Sequence, residues 1–309
     1  MDTFLQQLIN GLVLGSIYAL VALGYTMVYG IMELINFAHG EVTMSGAMVS
    51  VMTIGLLVAS GIALPGAVIL LIALLVAMVV CALLGFTIER VAYRPLRKAP
   101  RLAPLITAIG VSIVLQNVAM MIWGKQYISF PAILEITRYD IGGASITNLQ
   151  ITIILLSLTA MALLLTLINN TRLGRAMRAT AQAPAVASLM GVNVNSIISI
   201  TFILGSLLAA LAGLMVSAYY GLAHYNMGFL LGLKAFTAAV LGGIGNIPGA
   251  VLGGLLLGII ESLGASYIGP LTGGVLGSHY QDAVAFFVLI LVLTLRPSGL
   301  LGERIAERP

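Results

Sequence analysis

His39 and Glu41 stand two residues apart in Glu33-Leu-Ile-Asn36-Phe-Ala-His39-Gly40-Glu41, a density of polar groups that acid–base or metal chemistry could use. An H-x-E triplet is one half of a zinc deaminase signature. The other half needs a P-C-x-x-C run, and the chain has a single cysteine, Cys81, inside an apolar stretch. The same cysteine count excludes a disulfide framework and a cysteine-based metal site. Neither an H-E-x-x-H pair nor a G-x-x-x-x-G-K-[ST] phosphate loop occurs, so no ATP site of that kind belongs to this chain. No catalytic residue, metal ligand or cofactor is therefore assigned. The polar groups need another explanation.

That explanation begins with where they lie. The chain has 309 residues, 60% hydrophobic and only 8% charged, against about 25% charged in soluble domains. This is the composition of a polytopic membrane protein. A turn around Asn36, His39 and Glu41 carries no Lys or Arg, which suggests that it lies within the membrane thickness. Irregular backbone is tolerated there only where protein or a watery cavity satisfies it. Asn36 and Glu41 near a helix start would also meet the positive end of its dipole. The plain alternative is a capped tight turn.

A second interruption, Leu241-Gly242-Gly243-Ile-Gly245-Asn246-Ile-Pro248-Gly249, reads as a broken helix, a device that transporters place beside the substrate path. Its plain alternative is a tight turn between two ordinary helices. Lys234 opens this segment and Glu261 sits in the next apolar run, each costly in lipid unless paired or aimed inward. Asn36, His39, Glu41, Gly242, Gly243, Gly245, Asn246 and Glu261 are the candidates for a substrate path. Thr107, Gln116 and Asn117 are weaker ones. Gly11–Gly15, Gly249–Gly253 and Gly254–Gly258 have the small-xxx-small spacing of close helix packing.

The elements that must hold these residues are spans of about 20 apolar residues. They are read at Leu8–Tyr29, Val42–Ile62, Ala67–Ile88, Leu102–Trp123, Leu149–Ile168, Ile197–Tyr220, Ala250–Ile268 and Ala283–Leu295, with a shorter ninth at Leu233–Ile244. The fold class is all-α: a transmembrane helical bundle with broken helices and eight to nine membrane segments, read as one domain over 1–309. The first run lacks a basic n-region and a cleavage site, so it is read as a retained span. Basic residues gather at Arg90–Arg101, Arg172–Arg178 and Arg296–Arg308, which marks those segments as cytoplasmic and Gly124–Asn148 as outward-facing. The amino terminus is then outside. The carboxyl terminus is cytoplasmic only if the short ninth segment crosses. Trp123, Tyr127, Phe130 and Tyr139 fit an interfacial aromatic belt.

Between two spans lies RLGRAMRATAQAPAVASLMGVN, residues Arg172–Asn193. Arginines crowd its start, alanines alternate through it, and Gly191 with Asn193 supplies a helix stop. It reads either as an ordinary loop helix or as a small-residue docking helix on which a cytoplasmic motor acts.

The blocks Thr26–Glu41 (TMVYGIMELINFAHGE), Ile88–Arg97 (IERVAYRPLR), Ala108–Asn117 (AIGVSIVLQN), Leu173–Ala179 (LGRAMRA) and Lys234–Ala250 (KAFTAAVLGGIGNIPGA) resemble the LivH-type permease subunits of high-affinity branched-chain amino acid ABC importers. The resemblance covers nearly the whole chain, and a more distant likeness extends to the ribose-type sugar permeases. It implies a non-catalytic permease in the bacterial inner (plasma) membrane, working by alternating access. A second homologous permease chain, two cytoplasmic ATPase subunits that bind ATP, and a periplasmic substrate-binding protein are its implied partners, besides the lipid bilayer; nucleic acid is not among them. It also implies that Ala181–Gly191, with Arg175, Ala181, Ala185, Leu189 and Gly191 as its contacts, couples to the ATPase. Gln182 and Ala183 stand where the family often has an acidic residue, which weakens the argument for a salt bridge to the ATPase at that point and leaves docking by shape. The substrate would be a zwitterion with an apolar side chain, and Gly242, Gly243 and Gly245 would let backbone amides reach its carboxylate.

Two rival readings remain at this stage. A stand-alone secondary carrier would use Lys234 and Glu261 as coupling residues. A permease of the same type could serve another small amino acid, an amide or urea.

Overall fold

The computed structural model describes residues 2–61, 64–97, 99–100, 102–273, 275, 277 and 280–302. Lipid cannot hydrogen-bond to a backbone, so apolar runs of this length must satisfy their amides internally as helices. The helices are α1 (Asp2–Met32), α2 (His39–Ala59), α3 (Gly66–Ile88), α4 (Leu102–Trp123), α5 (Asn148–Asn170), α6 (Arg172–Gln182), α7 (Pro184–Leu189), α8 (Val194–Tyr220), α9 (Met227–Gly242), α10 (Ile247–Leu271) and α11 (Gln281–Leu295). Seven are long and apolar enough to cross a membrane, and α9 and α11 are shorter apolar helices. Together they account for the nine segments expected. A π turn (Glu89–Tyr93) and a 3₁₀ turn (Arg94–Leu96) extend α3.

Among the described residues four short strands pair outside the helices. β1 (Ile128–Ser129) pairs antiparallel with β4 (Leu222–Ala223), and β2 (Arg138–Ile141) with β3 (Ala144–Thr147). The β2–β3 turn uses Gly142 and Gly143, both at positive φ, as a two-residue hairpin requires.

The chain packs as two compact units, and α1, α5 and α9 each contribute residues to both. One unit comprises Met1–Thr26, Ile136–Met161 and Lys234–Pro309. Here the glycine spacings are packing devices. A Cβ on Gly11 would stand 2.7 Å from the Ile259 backbone, one on Gly15 equally close to Leu255, and one on Gly254 within 2.5 Å of Ala19, so α1 and α10 touch backbone to backbone.

The other unit comprises Met27–Glu135 and Ala162–Leu233. Its core is α2, α3 and α8. Gly46 meets Ala210, Gly213 meets Thr43 and Ala47, and Gly85 meets Ser206, each too close for any side chain. On α3 the inward face is Ala73, Ala77, Cys81 and Gly85, while Leu71, Leu75, Val79 and Leu83 are exposed. Both sets recur every four residues, as one helix face must. The exposed large aliphatics form an apolar stripe along the outer face of α3.

Candidate functional site

The span expected from Val42 starts earlier: α2 begins at His39, so His39 and Glu41 occupy its first turn and the connecting turn is Glu33–Ala38. Asn36 organises that turn. Its Oδ1 accepts from the Ala38 amide at 3.2 Å and from the Tyr93 hydroxyl at 2.8 Å, and its carbonyl accepts from the His39 amide. At the opposite end of the turn Glu33 has φ 52°, the one non-glycine residue in the left-handed region among the described residues. A side chain there costs about 1–2 kcal/mol. Such strain persists only where surrounding contacts hold it.

Asn36, His39 and Glu41 are all buried, Glu41 completely. Glu41 Oε1 accepts from Gln116 at 2.7 Å and from Ser112 at 3.2 Å, both on α4. Its Oε2 has no hydrogen-bond partner among the described residues and faces the bare α-carbon of Gly228. Gly40 and Gly228 lie so close that a Cβ on Gly40 would be 2.3 Å from the Gly228 carbonyl oxygen. Glycine at both positions lets the start of α9 abut the start of α2. Of the weaker candidates, Gln116 joins this site, whereas Asn117 is exposed and donates to its own helix at Ile113.

Sequence reasoning did not single out the cluster at the base of α3. Glu89, fully buried, pairs with Arg97 and accepts from Ser199 on α8 at 2.6 Å. Arg97 also donates to Asn195, in the first turn of α8, at 2.6 Å. Burial lowers the Arg97 pKa and the neighbouring Glu89 carboxylate opposes that shift. An arginine tolerates the loss and stays charged. The signal available was one acid among five basic residues.

In the unit holding α10, Lys234 donates to Glu261 at 2.6 Å and pairs with Asp282 at 2.8 Å. Glu261 is closed on its other side by the Tyr18 hydroxyl at 2.9 Å, and Lys234 lies 5.8 Å from the Tyr18 ring centre. Both Glu261 oxygens are thus engaged by α1 and α9. A small recess lined by Lys234, Thr237, Leu257, Asp282, Ala285 and Phe286 adjoins the pair.

The α9–α10 break is real, but the Gly243 amide is already used. Gly243 and Gly245 have φ of 109° and 92°. The Gly243 amide bonds to Ala239, and Asn246 caps α10 by accepting from Gly249. The segment after α11 covers the loop: Leu300 and Leu301 amides bond to the carbonyls of Leu241 and Gly242, and the Asn246 side chain bonds to Leu301. A Cβ on Gly243 would stand 2.4 Å from Gly302. The expectation that Gly243 would offer a free amide to a carboxylate therefore gives way to a tail-capped joint between α9 and α10.

The segment Arg172–Asn193 is helical, but not as one helix. Pro184 lacks an amide proton and forces the residue before it out of helical geometry. Ala183 accordingly sits at φ −153°, ψ 85°. Ala181 and Gln182 thus close α6, and α7 carries Ala185 and Leu189 alone. Gly191, at φ 86°, ends the segment as expected, whereas Asn193 opens the next helix, capping α8 by accepting from the Ser196 amide. Leu189 and Met190 are 86% and 81% exposed, with Val186 beside them. Arg175 is exposed on α6, and Arg178 folds back onto the Ile168 carbonyl.

A family model described as branched-chain amino acid transport system / permease component matches residues 7–293. The chain belongs to this permease family. It is 47% identical to the high-affinity branched-chain amino acid transport system permease protein BraD of Pseudomonas aeruginosa, over 99% of this chain and 98% of that protein. It is 45% identical to the corresponding permease protein LivH of Escherichia coli K12, over 99% and 97% of the two chains. A weaker likeness, 34% identity over 133 residues, links 41% of this chain to 39% of the ribose import permease protein RbsC of the same organism. As a member of this permease family with seven membrane-length helices among the described residues, the chain is a multi-pass membrane protein.

Proposed function

We propose that this permease is the translocating subunit of a binding-protein-dependent ABC importer for branched-chain amino acids in a bacterial inner membrane. The observation that carries this reading is the identity of about half along the full length of two permeases named for that system. Its amino terminus lies outside and its carboxyl terminus in the cytoplasm. A second homologous permease chain completes the membrane domain. Two ATPase subunits bind ATP and push on α6–α7, where exposed Val186, Leu189 and Met190 supply an apolar contact and Arg175 a charged one. A periplasmic binding protein delivers the substrate. Alternating access is the mechanism: each hydrolysis cycle shifts α7, and the bundle opens to one side at a time.

Asn36, His39 and Glu41 line the substrate path in this reading. Glu41 supports it by keeping a carboxylate oxygen unpartnered, which suits the ammonium group of a zwitterion. Gly242, Gly243, Gly245 and Asn246 serve as the joint on which α9 moves against α10, and Glu261 anchors that joint through Lys234.

Reconstitution tests the proposal. Proteoliposomes holding this chain with its partner permease, ATPases and binding protein should accumulate labelled leucine, isoleucine or valine only with internal-facing ATP. Uptake by this chain alone under an ion gradient would make it a secondary carrier instead.

A further inference from the structure

The coupling segment and the Asn36 turn lie in one unit, and side-chain hydrogen bonds and an ion pair, joined through the backbone of the π turn, link the chain after α7 to that turn. The linkage starts where α7 ends. Asn193 caps α8, and two residues later the Asn195 side chain accepts from Arg97 at 2.6 Å. Arg97 pairs with the buried Glu89, which Ser199 of α8 also holds. Glu89 opens the π turn and Tyr93 closes it. The Tyr93 ring packs 5.3 Å from Phe202 of α8, and its hydroxyl donates to Asn36. The same Asn36 oxygen holds the Ala38 amide, immediately before α2.

We propose that Arg97, Glu89 and Tyr93 form a positioning relay that transmits movement of α7 to the start of α2. This rests on the reading of α6–α7 as the ATPase contact. Three features distinguish the relay from ordinary packing. First, each end is anchored on a helix start, so a shift of α8's first turn moves Arg97 rather than a floppy loop. Second, the connector is a π turn, a wound-out helical segment that can revert to α geometry with a change of register. Third, the receiving turn is strained at Glu33, and the Tyr93–Asn36 bond helps hold it. A strained turn with a removable latch is an element with two arrangements, which physical coupling between sites requires. Moving the latch repositions His39, Gly40 and Glu41 together, because they ride the first turn of α2.

The test uses the complete importer in proteoliposomes and reads substrate transported per ATP hydrolysed. Tyr93→Phe removes one hydroxyl and keeps the ring against Phe202. It should leave assembly and basal ATP hydrolysis unchanged while lowering transport per ATP about fivefold to tenfold, the ratio a bond of this kind contributes. Asn195→Ala, at an exposed position, removes only α8's hold on Arg97 and should lower the same ratio. Combining the two should add little to the larger single effect, since both interrupt one relay. A purely structural role would lower thermal stability at unchanged transport per ATP. Wild-type stoichiometry in both single variants, or effects that multiply in the double, would overturn the relay. Leu189→Asp is the separate control: if it leaves ATPase association and uptake intact, the coupling reading itself fails, whatever Tyr93 does.

Discussion

Two buried carboxylates in this chain are treated in opposite ways. Glu261 has a cation on one oxygen and a tyrosine hydroxyl on the other. Glu41 has only neutral donors on one oxygen and no hydrogen-bond partner, among the described residues, on the other. Inside lipid an ionisable side chain is expensive, and pairing is the usual remedy. The Lys234–Glu261–Tyr18 arrangement is what pairing looks like: an anchor that ties α1, α9 and α10 in fixed register. An unpartnered buried polar atom costs about 1–3 kcal/mol. Keeping one at Glu41, at the first turn of α2, where glycines let α9 abut, points to a use beyond stability.

The sharpest way to break this contrast is to unpair the anchor. Glu261→Leu leaves Lys234 with Asp282 alone and should destabilise the purified protein by about 3–5 kcal/mol, seen as a lowered unfolding temperature in detergent. The double change Lys234→Met with Glu261→Met should recover most of that loss. If Glu261→Leu is stable but transport-dead, Glu261 belongs with Glu41 and the contrast fails.

Steric closure at α2 comes next. Gly40→Ala places a methyl 2.3 Å from the Gly228 carbonyl, and overpacking of this kind costs about 1–3 kcal/mol. Lower thermal stability together with reduced uptake is expected, and an unperturbed melting curve would mean that α2 and α9 are not in that contact. Glu41→Gln should cost under about 1 kcal/mol, because Ser112 and Gln116 can still bond to an amide oxygen. Uptake should nevertheless fall at least about tenfold, equivalent to about 1.4 kcal/mol of lost substrate interaction. Normal uptake by Glu41→Gln would make Glu41 a structural residue like Glu261. Asn193→Ala removes the α8 cap alone and should cost about 1 kcal/mol in unfolding experiments.

Hydropathy alone located the membrane helices, because lipid imposes one solution on a long apolar run. It was less informative about faces: on α3 both sides are apolar, and only the alternation of Ala73, Ala77, Cys81 and Gly85 with Leu71, Leu75, Val79 and Leu83 distinguishes inside from outside. The sequence starts the second span at Val42 and the structure at His39, because His39 and Glu41 have the polarity of turn residues and only a buried site accommodates them in a helix. Pro184 announced the α6–α7 break, but the alanine run around it read as a single helix. For Lys234 the sequence leaves open an outward-reaching ammonium or a carboxylate partner, and the structure pairs it with Glu261; the choice of partner across 27 residues is a tertiary fact with no local signature. Tyr93 and Glu89 were invisible for the same reason. Their importance comes from what α8 and the Asn36 turn bring to them.

Cysteine cross-linking at the exposed tip of α7 tests the central claim most directly. In the complete importer carrying Leu189→Cys and Cys81→Ala, a thiol cross-linker should join residue 189 to an ATPase subunit, with a yield that changes when ATP is added. Labelling of that cysteine in intact cells by a membrane-impermeant reagent, with no ATPase adduct, would place α7 on the outer face and contradict the account.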